Sequence, residues 1–600
     1  LWPVKKLQYF ILERNSYFDR DLKRDQVNAT VTPFRLLVDC TKTADELLDD
    51  YNNGKLFYIG DIPLSLRNQE AVQKQVEISD ALSTFVCYLN ENALIGNEYL
   101  FANQKVRQAL SMALDREAIA KTVVYAKAAN GLIPYGVFEK DNSGEFRKSK
   151  NIKVSLMTTA QLDEAKALLS DAGINPGSFS FTIKVAAYSE VHVTLANAVA
   201  EAWNNLGFKV SVKEVRPIQN NDILKEDEDT PTKDICDDLL VEAFQRGTFE
   251  VIALDACALT ADAYSMLANY AYSFSGGIYA DSDNGVYEKE THITGYDSVE
   301  YNILMEAIYY LPYFADVDKR EADSFLRTNL DTKPYAEVAS AVEHKLSAMA
   351  SASNKATDKA MKKLETLKKS SSPDAQAMID AYTEILTAML AQLKAASPLL
   401  SPLAKDLSAA KASEATESAA KTALAKALSD VTAAQTAAQT AKDTKILASD
   451  AADKLNAFYQ VCDTAMAAYQ TAVASEQAAA AAAKAVADNA DQITLRDAIA
   501  KVYSDNNIDP TTKISKQGAL RAALLHKAEE MILTDLPVIP VVYNQNATMT
   551  SKSLSKVRSS YYCVADFQKA KLKNADGYVD ENGDSIFKSF PEIAWDAMVG

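Results

Sequence analysis

Between about residues 335 and 495 the chain contains no glycine and few aromatic residues, while alanine, lysine, serine and aspartate dominate. Ala479 to Ala483 form an unbroken run, and Thr432-Ala433-Ala434-Gln435 repeats as Thr436-Ala437-Ala438-Gln439. Alanine has the best helix propensity and loses little side-chain entropy, so this stretch is restricted to long helices. Proline interrupts the helical ladder and restrains the residue before it. Ser370-Ser371-Ser372-Pro373 and the stretch from Ser397-Pro398 to Ser401-Pro402 therefore predict breaks. Helices are expected near 335–369, 374–396 and 403–488, the last with a further break around Lys442-Asp443-Thr444. Leu364, Leu367, Met378, Ile379, Leu386, Leu390 and Leu393 offer seams for an antiparallel hairpin or bundle, the alternative being a low-complexity spacer.

The flanks read differently. Phe10-Ile11-Leu12 and Phe34 to Val38 are β-rich, and Thr43 with Glu46 forms a capping box ahead of a helix. Phe181, Ile183 and Val185 alternate along a strand. A helix from His192 to Leu206 places Leu195, Val199, Ala202 and Leu206 on one face, and Gly207 ends it. Phe208, Val210 and Val212 then alternate again, completing a βαβ unit. Val106, Leu110, Ala113 and Leu114 form the apolar stripe of an amphipathic helix over 106–119, with Arg107, Asp115, Arg116 and Glu117 mostly off it. Gly131-Leu132-Ile133-Pro134 follows. The helix from Arg521 to Ile532 leads into the strand Val538 to Tyr543, whose flanking Pro537 and Pro540 predict an edge or a crossing between lobes.

A net charge of −18 argues against nucleic acid as a partner. No stretch approaches the apolar length of a membrane span. The six cysteines, Cys40, Cys87, Cys236, Cys257, Cys462 and Cys563, make no CxxC pair; they read as mostly buried free thiols with room for one long-range disulfide. His192, His292, His344 and His526 lack metal-ligand spacing and are expected as exposed helix or loop residues. No nucleophile elbow, phosphate loop or dinucleotide fingerprint is present. No enzyme activity, cofactor or metal is expected.

The wording of 106–119, of Gly295-Tyr296-Asp297-Ser298-Val299-Glu300-Tyr301 and of 521–543 resembles the extracytoplasmic solute-binding proteins of ABC importers, family 5, the oligopeptide, dipeptide and nickel type. The resemblance covers about 5–330 and 500–560. It implies an α/β, two-lobed fold of the periplasmic-binding-protein kind with an incomplete first lobe, interrupted by the all-α insertion. The expected division is 1–80 in lobe I, 81–334 in lobe II, 335–495 as insertion, 496–548 again in lobe II, and 549–600 returning to lobe I. The chain reads as lacking the opening part of lobe I.

The resemblance further implies a monomeric, extracytoplasmic, lipoprotein-type component that captures a peptide or a related small solute and delivers it to the membrane subunits of an ABC permease. The competing reading is a structural or adhesive surface protein with the lobe as scaffold. The candidate ligand segment is Phe249 to Tyr264, a buried strand, a loop and a helix start. By resemblance Asp255, Ala256 and Cys257 face the ligand as a strand edge, with Leu259, Asp262 and Tyr264 beyond them. Asp262 is also placed to cap the helix. Leu259 stands where oligopeptide binders carry the aspartate that pairs with a peptide's free amino terminus, leaving Asp255 or Asp262 to replace it.

Overall fold

Alternating apolar residues in distant parts of the chain assemble one seven-stranded sheet. The structure, a computed structural model, describes residues 9–13, 31–33, 35–39, 41–96, 98–140, 143–215, 249–271, 274, 279–281, 287–289, 294–331, 355–369, 375–409, 414–444, 452–488, 494–559 and 564–573. The strands are β1 (Tyr58–Ile59), β2 (Glu77–Leu89), β3 (Ala126–Ala128), β4 (Ser180–Ala186), β5 (Lys209–Val215), β6 (Val251–Cys257) and β7 (Val538–Thr550). They run in the order β1-β7-β2-β6-β4-β5, with β3 also on β7. The expected βαβ unit is present, since β4 and β5 are parallel. By contrast β2 is antiparallel to both β6 and β7. Outside this sheet, Tyr9–Glu13 pairs antiparallel with Arg35–Asp39.

The pleat of β2 separates two cores. Phe85, Cys87 and Leu89 face one side and Leu82, Val86 and Tyr88 the other. Helix α1 (Ala44–Asn52) begins with the expected capping box, Thr43 N–H donating to Glu46 at 2.8 Å. The first core is covered by α2 (Gln104–Met112), α3 (Arg116–Val123), α4 (Leu162–Asp171) and α5 (Glu190–Leu206). Gly207, at φ 118°, closes α5 in the left-handed region. The stretch expected as one helix over 106–119 is two, because Asp115 turns and caps α3 by accepting from Ala118 N–H at 2.9 Å. Arg116, just past that turn, and Arg107 both lie inside, at 1% and 5% exposure, against their expected place off the apolar stripe.

The second core lies under α6 (Val299–Ala315). The insertion follows as α7 (Lys355–Lys368), α8 (Ala375–Ala409), α9 (Glu414–Asp443) and α10 (Ala452–Asp488), with a core of its own. Residues 335–354 lie outside those described. Helix α7 ends at Lys368, with Ser370 to Pro373 outside the described residues, and α9 ends at Asp443 near the expected break, but the break expected at 397–402 is not found: α8 continues through Pro398 and Pro402 to Ala409. A proline removes one ladder bond, which tertiary packing along a long helix outweighs; α6 likewise runs through Pro312. On α9 the buried residues Ala420, Leu424, Ala427, Val431, Ala434, Ala438 and Ala441 alternate by four and three, a heptad seam. Small side chains at that seam let α10 approach closely through Cys462, Ala465, Ala472 and Ala479. The bundle is not detached, since Val299 and Ile303 of α6 belong to its core and Lys394 pairs with Glu98 at 3.3 Å.

After the insertion α11 (Leu495–Asp505) and α12 (Ile514–Asp535) complete the second core. Strand β7 then pairs with β2 from Val538, whereas β3 joins its other side at Val542–Asn544. The register shifts between Pro540 and Val542 and again between Tyr543 and Gln545. The first residues of β7 therefore have a strand on one side alone among the described residues, which accommodates Pro540. A further core gathers Tyr51, Ile59, Ile62, Leu66, Val72 and Tyr125 around Ala547 and Met549 at the far end of β7. Thus β2 and β7, each 13 residues long, cross from one packing unit to another, as in a two-lobed α/β fold.

Candidate functional site

Where β2 and β7 pass between the cores their burial lapses: Glu77 to Ser79 are exposed, and Asp80, Ala81 and Asn544 to Asn546 are half-buried. This waist is polar. Lys127 Nζ of β3 lies 2.6 Å from Asp80 and 4.6 Å from the centre of the Tyr135 ring. Gln545 Nε2 also donates to Asp80, at 3.2 Å. Tyr135 meets Tyr543 edge to face at 5.4 Å, and the Tyr543 hydroxyl donates to Asn130 Oδ1 at 2.8 Å. Burial raises the pKa of the Tyr543 phenol, so it stays a neutral donor.

Asp255 enters the same belt from β6. Asn544 Nδ2 donates to its Oδ1 at 2.8 Å and to Ser83 Oγ at 2.8 Å, and His192 Nε2 lies 3.2 Å from its Oδ2. Asp255, Ala256 and Cys257 pair with Phe85, Thr84 and Ser83 of β2. On the other side β4 pairs with β6 from Val251 to Ala253 and stops there. From Leu254 to Cys257 that backbone edge has no strand beside it among the described residues. Cys257 is a free, exposed thiol, whereas Cys87 and Cys462 are free and buried. Cys40, Cys236 and Cys563 lie outside the described residues.

The rest of the expected segment turns away into a loop. Leu259 is 69% exposed. Asp262 is already engaged: Arg521 Nη1 of α12 lies 2.7 Å from its Oδ2, Arg521 Nη2 donates to its Oδ1 at 3.0 Å, and Tyr264 N–H donates to that oxygen at 2.8 Å. Asp262 does not cap the short helix at Tyr264–Leu267 as expected: Ala263 holds the cap position there and no side chain caps it. Tyr264 is half-buried and its hydroxyl has no hydrogen-bond partner among the described residues. So Asp255, Ala256 and Cys257 share the waist with an open strand edge, while Leu259, Asp262 and Tyr264 form the adjoining loop.

Two histidines depart from expectation. His192 is half-buried against Asp255 and Phe85, and His526 is 5% exposed with Nε2 2.8 Å from Glu139. His292 and His344 lie outside the described residues. Among the described residues no cluster of histidine, cysteine or carboxylate side chains is arranged to hold a metal ion, and no helix is long and apolar enough to cross a membrane. Sequence reading missed Asp80, Ser83, Lys127, Asn130, Tyr135, His192, Tyr543 and the Asn544-Gln545 pair. One signal was available: three consecutive amides, Asn544, Gln545 and Asn546, following an apolar strand straight after Tyr543.

Residues 4–277 match the family described as bacterial extracellular solute-binding proteins, family 5 Middle. That stretch, less than half of the chain, is similar to the family 5 solute-binding proteins. The matched segment contains β1 to β6, hence Asp255; β7 and α12 lie beyond it. Similar solved structures include the pheromone receptor PrgZ, at 12% identity and a TM-score of 0.43, covering 94% of this chain and 62% of that one. The Escherichia coli murein tripeptide binding protein MppA shows 12% identity and a TM-score of 0.42, with 94% and 62% covered. Haemophilus influenzae OppA in complex with RPPGFSPFR shows 12% identity and 0.43, again with 94% and 62% covered. The chain thus spans less than two thirds of the length of these structures. No curated protein matches it.

Proposed function

We propose that the chain is the solute-capturing component of an ABC importer, acting outside the membrane and holding an extended peptide across the waist for delivery to a permease. Residues 81–334 and 496–548 form the main ligand-binding lobe in this reading, and 335–495 is an insertion into it. The observation that carries the reading is the edge of β6 from Leu254 to Cys257, which no strand pairs among the described residues, set beside a polar belt between two cores. An extended peptide adds to such an edge through main-chain hydrogen bonds while its side chains take alternate sides. A ligand touching both packing units favours their closed arrangement, because it gains contacts there that the open one lacks.

The charges of the belt bear on which peptides fit. Leu259 offers nothing to an ammonium group, and the Asp262 carboxylate is matched by Arg521. A desolvated ammonium without a partner costs several kcal/mol, leaving Asp255, bonded to Asn544 and His192, as the acidic group at the open edge. Calorimetry with penta-alanine and its N-acetylated form tests this. The unsubstituted protein should bind the two within a fewfold of each other if no carboxylate receives the amine, and Leu259→Asp should then create a preference for the free form. A strong loss on acetylation, abolished by Asp255→Asn, would assign the amine to Asp255. The same loss abolished by Asp262→Asn would assign it to Asp262 and contradict the role given to Arg521.

A further inference from the structure

Behind the wall of the waist lie four ionisable side chains that the reading above does not use. Glu529 of α12, 2% exposed, accepts at one oxygen from the backbone N–H groups of Leu132 and Ile133, each at 2.9 Å, and from the Arg147 guanidinium. Beside it His526 stacks on Phe146 at 3.8 Å and bonds Glu139, itself 6% exposed. Burial holds His526 below its usual pKa, so near neutral pH the Arg147 cation is the charge matched to Glu529. A Cβ at Gly131 would overlap the Arg147 guanidinium and lie 2.8 Å from Glu529 Oε1, so the backbone comes this close through glycine.

The segment held in this way is one wall of the waist. Asn130 accepts the Tyr543 hydroxyl, the Leu132 carbonyl accepts from Thr84 Oγ1 of β2 at 2.7 Å, and Ala129 N–H donates to Val541 of β7 at 3.2 Å. Lys127 and Tyr135, one on each side of the anchored amides, face Asp80 and Tyr543. Buried ion pairs are weak sources of stability, because desolvation offsets their attraction. Two consecutive backbone donors converging on one carboxylate oxygen instead fix a geometry.

We propose that Glu529 is a positioning residue for ligand binding: it sets the path of 130–135 and thereby the placement of Lys127 and Tyr135 at the waist. The proposal rests on reading the waist as the peptide site. Its test compares two double variants of the full chain, Arg147→Met with Glu529→Gln and Arg147→Met with Glu529→Leu. Neither leaves a charge of this pair orphaned, and they differ in whether position 529 can accept from the two amides. Hydrogen–deuterium exchange at Leu132 and Ile133 and calorimetry with penta-alanine are measured on both. The Leu form should exchange at least tenfold faster at the two amides and bind penta-alanine at least fivefold more weakly, with the Gln form close to the unsubstituted protein. Should the Leu form not fold, Glu529→Asp, which keeps the charge but withdraws it by one methylene, gives the same comparison. Equal exchange in the two forms would overturn the anchor itself. Faster exchange with unchanged affinity would leave the anchor standing and overturn its link to ligand, whereas no penta-alanine binding by any form, the unsubstituted protein included, would overturn the reading of the waist and the link with it.

Discussion

Arg116 gives the sharpest test of how the lobe is held together. Its side chain donates from Nε to the Pro540 carbonyl at 2.8 Å, from Nη1 to the carbonyls of Ser111 at 3.0 Å and Met157 at 2.9 Å, and from Nη2 to Ser111 Oγ at 2.8 Å. One guanidinium thus joins the start of α3 to the end of α2, to β7 and to the loop at Met157. Burial pulls its pKa down from the usual 12.5 to about 10, a charging cost of about 3 kcal/mol. Four hydrogen bonds from a charged donor contribute about 1.5–3 kcal/mol each, or about 6–12 kcal/mol before that cost. The balance favours the arginine by at least about 3 kcal/mol, and its removal also strips a donor from the Pro540 and Met157 carbonyls. Arg116→Met should therefore lower stability by about 3–5 kcal/mol, and Arg116→Lys by nearly as much, because a single ammonium cannot span three elements. Urea unfolding followed by the fluorescence of Trp203, buried in the same core and bonded to the Leu110 carbonyl, measures the loss. A loss below about 1 kcal/mol would refute the reasoning.

Three other outcomes are expected. Burial raises the Glu476 carboxyl of α10 from 4.5 to about 7, so between those values the unfolded chain releases a proton that the folded one keeps. The helices should be most stable below pH 4.5, lose up to about 3 kcal/mol as the pH rises to 7, and change little through this group above it. Glu476→Gln should recover most of that loss at pH 8 and nothing at pH 4, read from helix unfolding by circular dichroism; no gain at pH 8 would contradict it. Deleting 355–488 with a short linker uncovers Val299 and Ile303, so the sheet should keep a cooperative melt but lose about 3–5 kcal/mol. Disappearance of the melt would show that the bundle is needed for the lobe to fold. Gly131→Ala should weaken folding, although reduced backbone entropy alone would make the alanine form about 0.4–1 kcal/mol more stable, because Arg147 and Glu529 occupy the space of its Cβ; chemical denaturation reads the sign.

Much of the fold was legible because it is local. Alternation marked β4 and β5, Gly207 marked the end of α5, and alanine content marked the bundle. The errors arose where a distant partner overrides a local rule. Arg107 and Arg116 look like surface residues on a single helical wheel; Asp115 splits that helix, and the carbonyls that satisfy Arg107 and Arg116 include those of Asp535 and Pro540, more than 400 positions away. Pro398 and Pro402 are helix breakers until packing along α8 outweighs the lost bonds. The candidate site was less legible: the pattern gave only a strand, a loop and a helix start, Asp255, Ala256 and Cys257 were singled out by resemblance, and the partners of Asp255 stand 63 and 289 positions from it. No periodicity joins His192 or Asn544 to that strand, and Asp262 looked available because its pairing with Arg521 arises in the fold.

The central claim, that an extended peptide lies along the free edge of β6 at the waist, is tested most directly by amide exchange of the full chain with and without a saturating mixture of short peptides. The account predicts protection at 254–257, with smaller effects at 79–83 and 544–546 as the two packing units close, and none along α9 and α10. Protection confined to the helical bundle, or an unchanged exchange pattern at 254–257 while peptide is demonstrably bound, would contradict it.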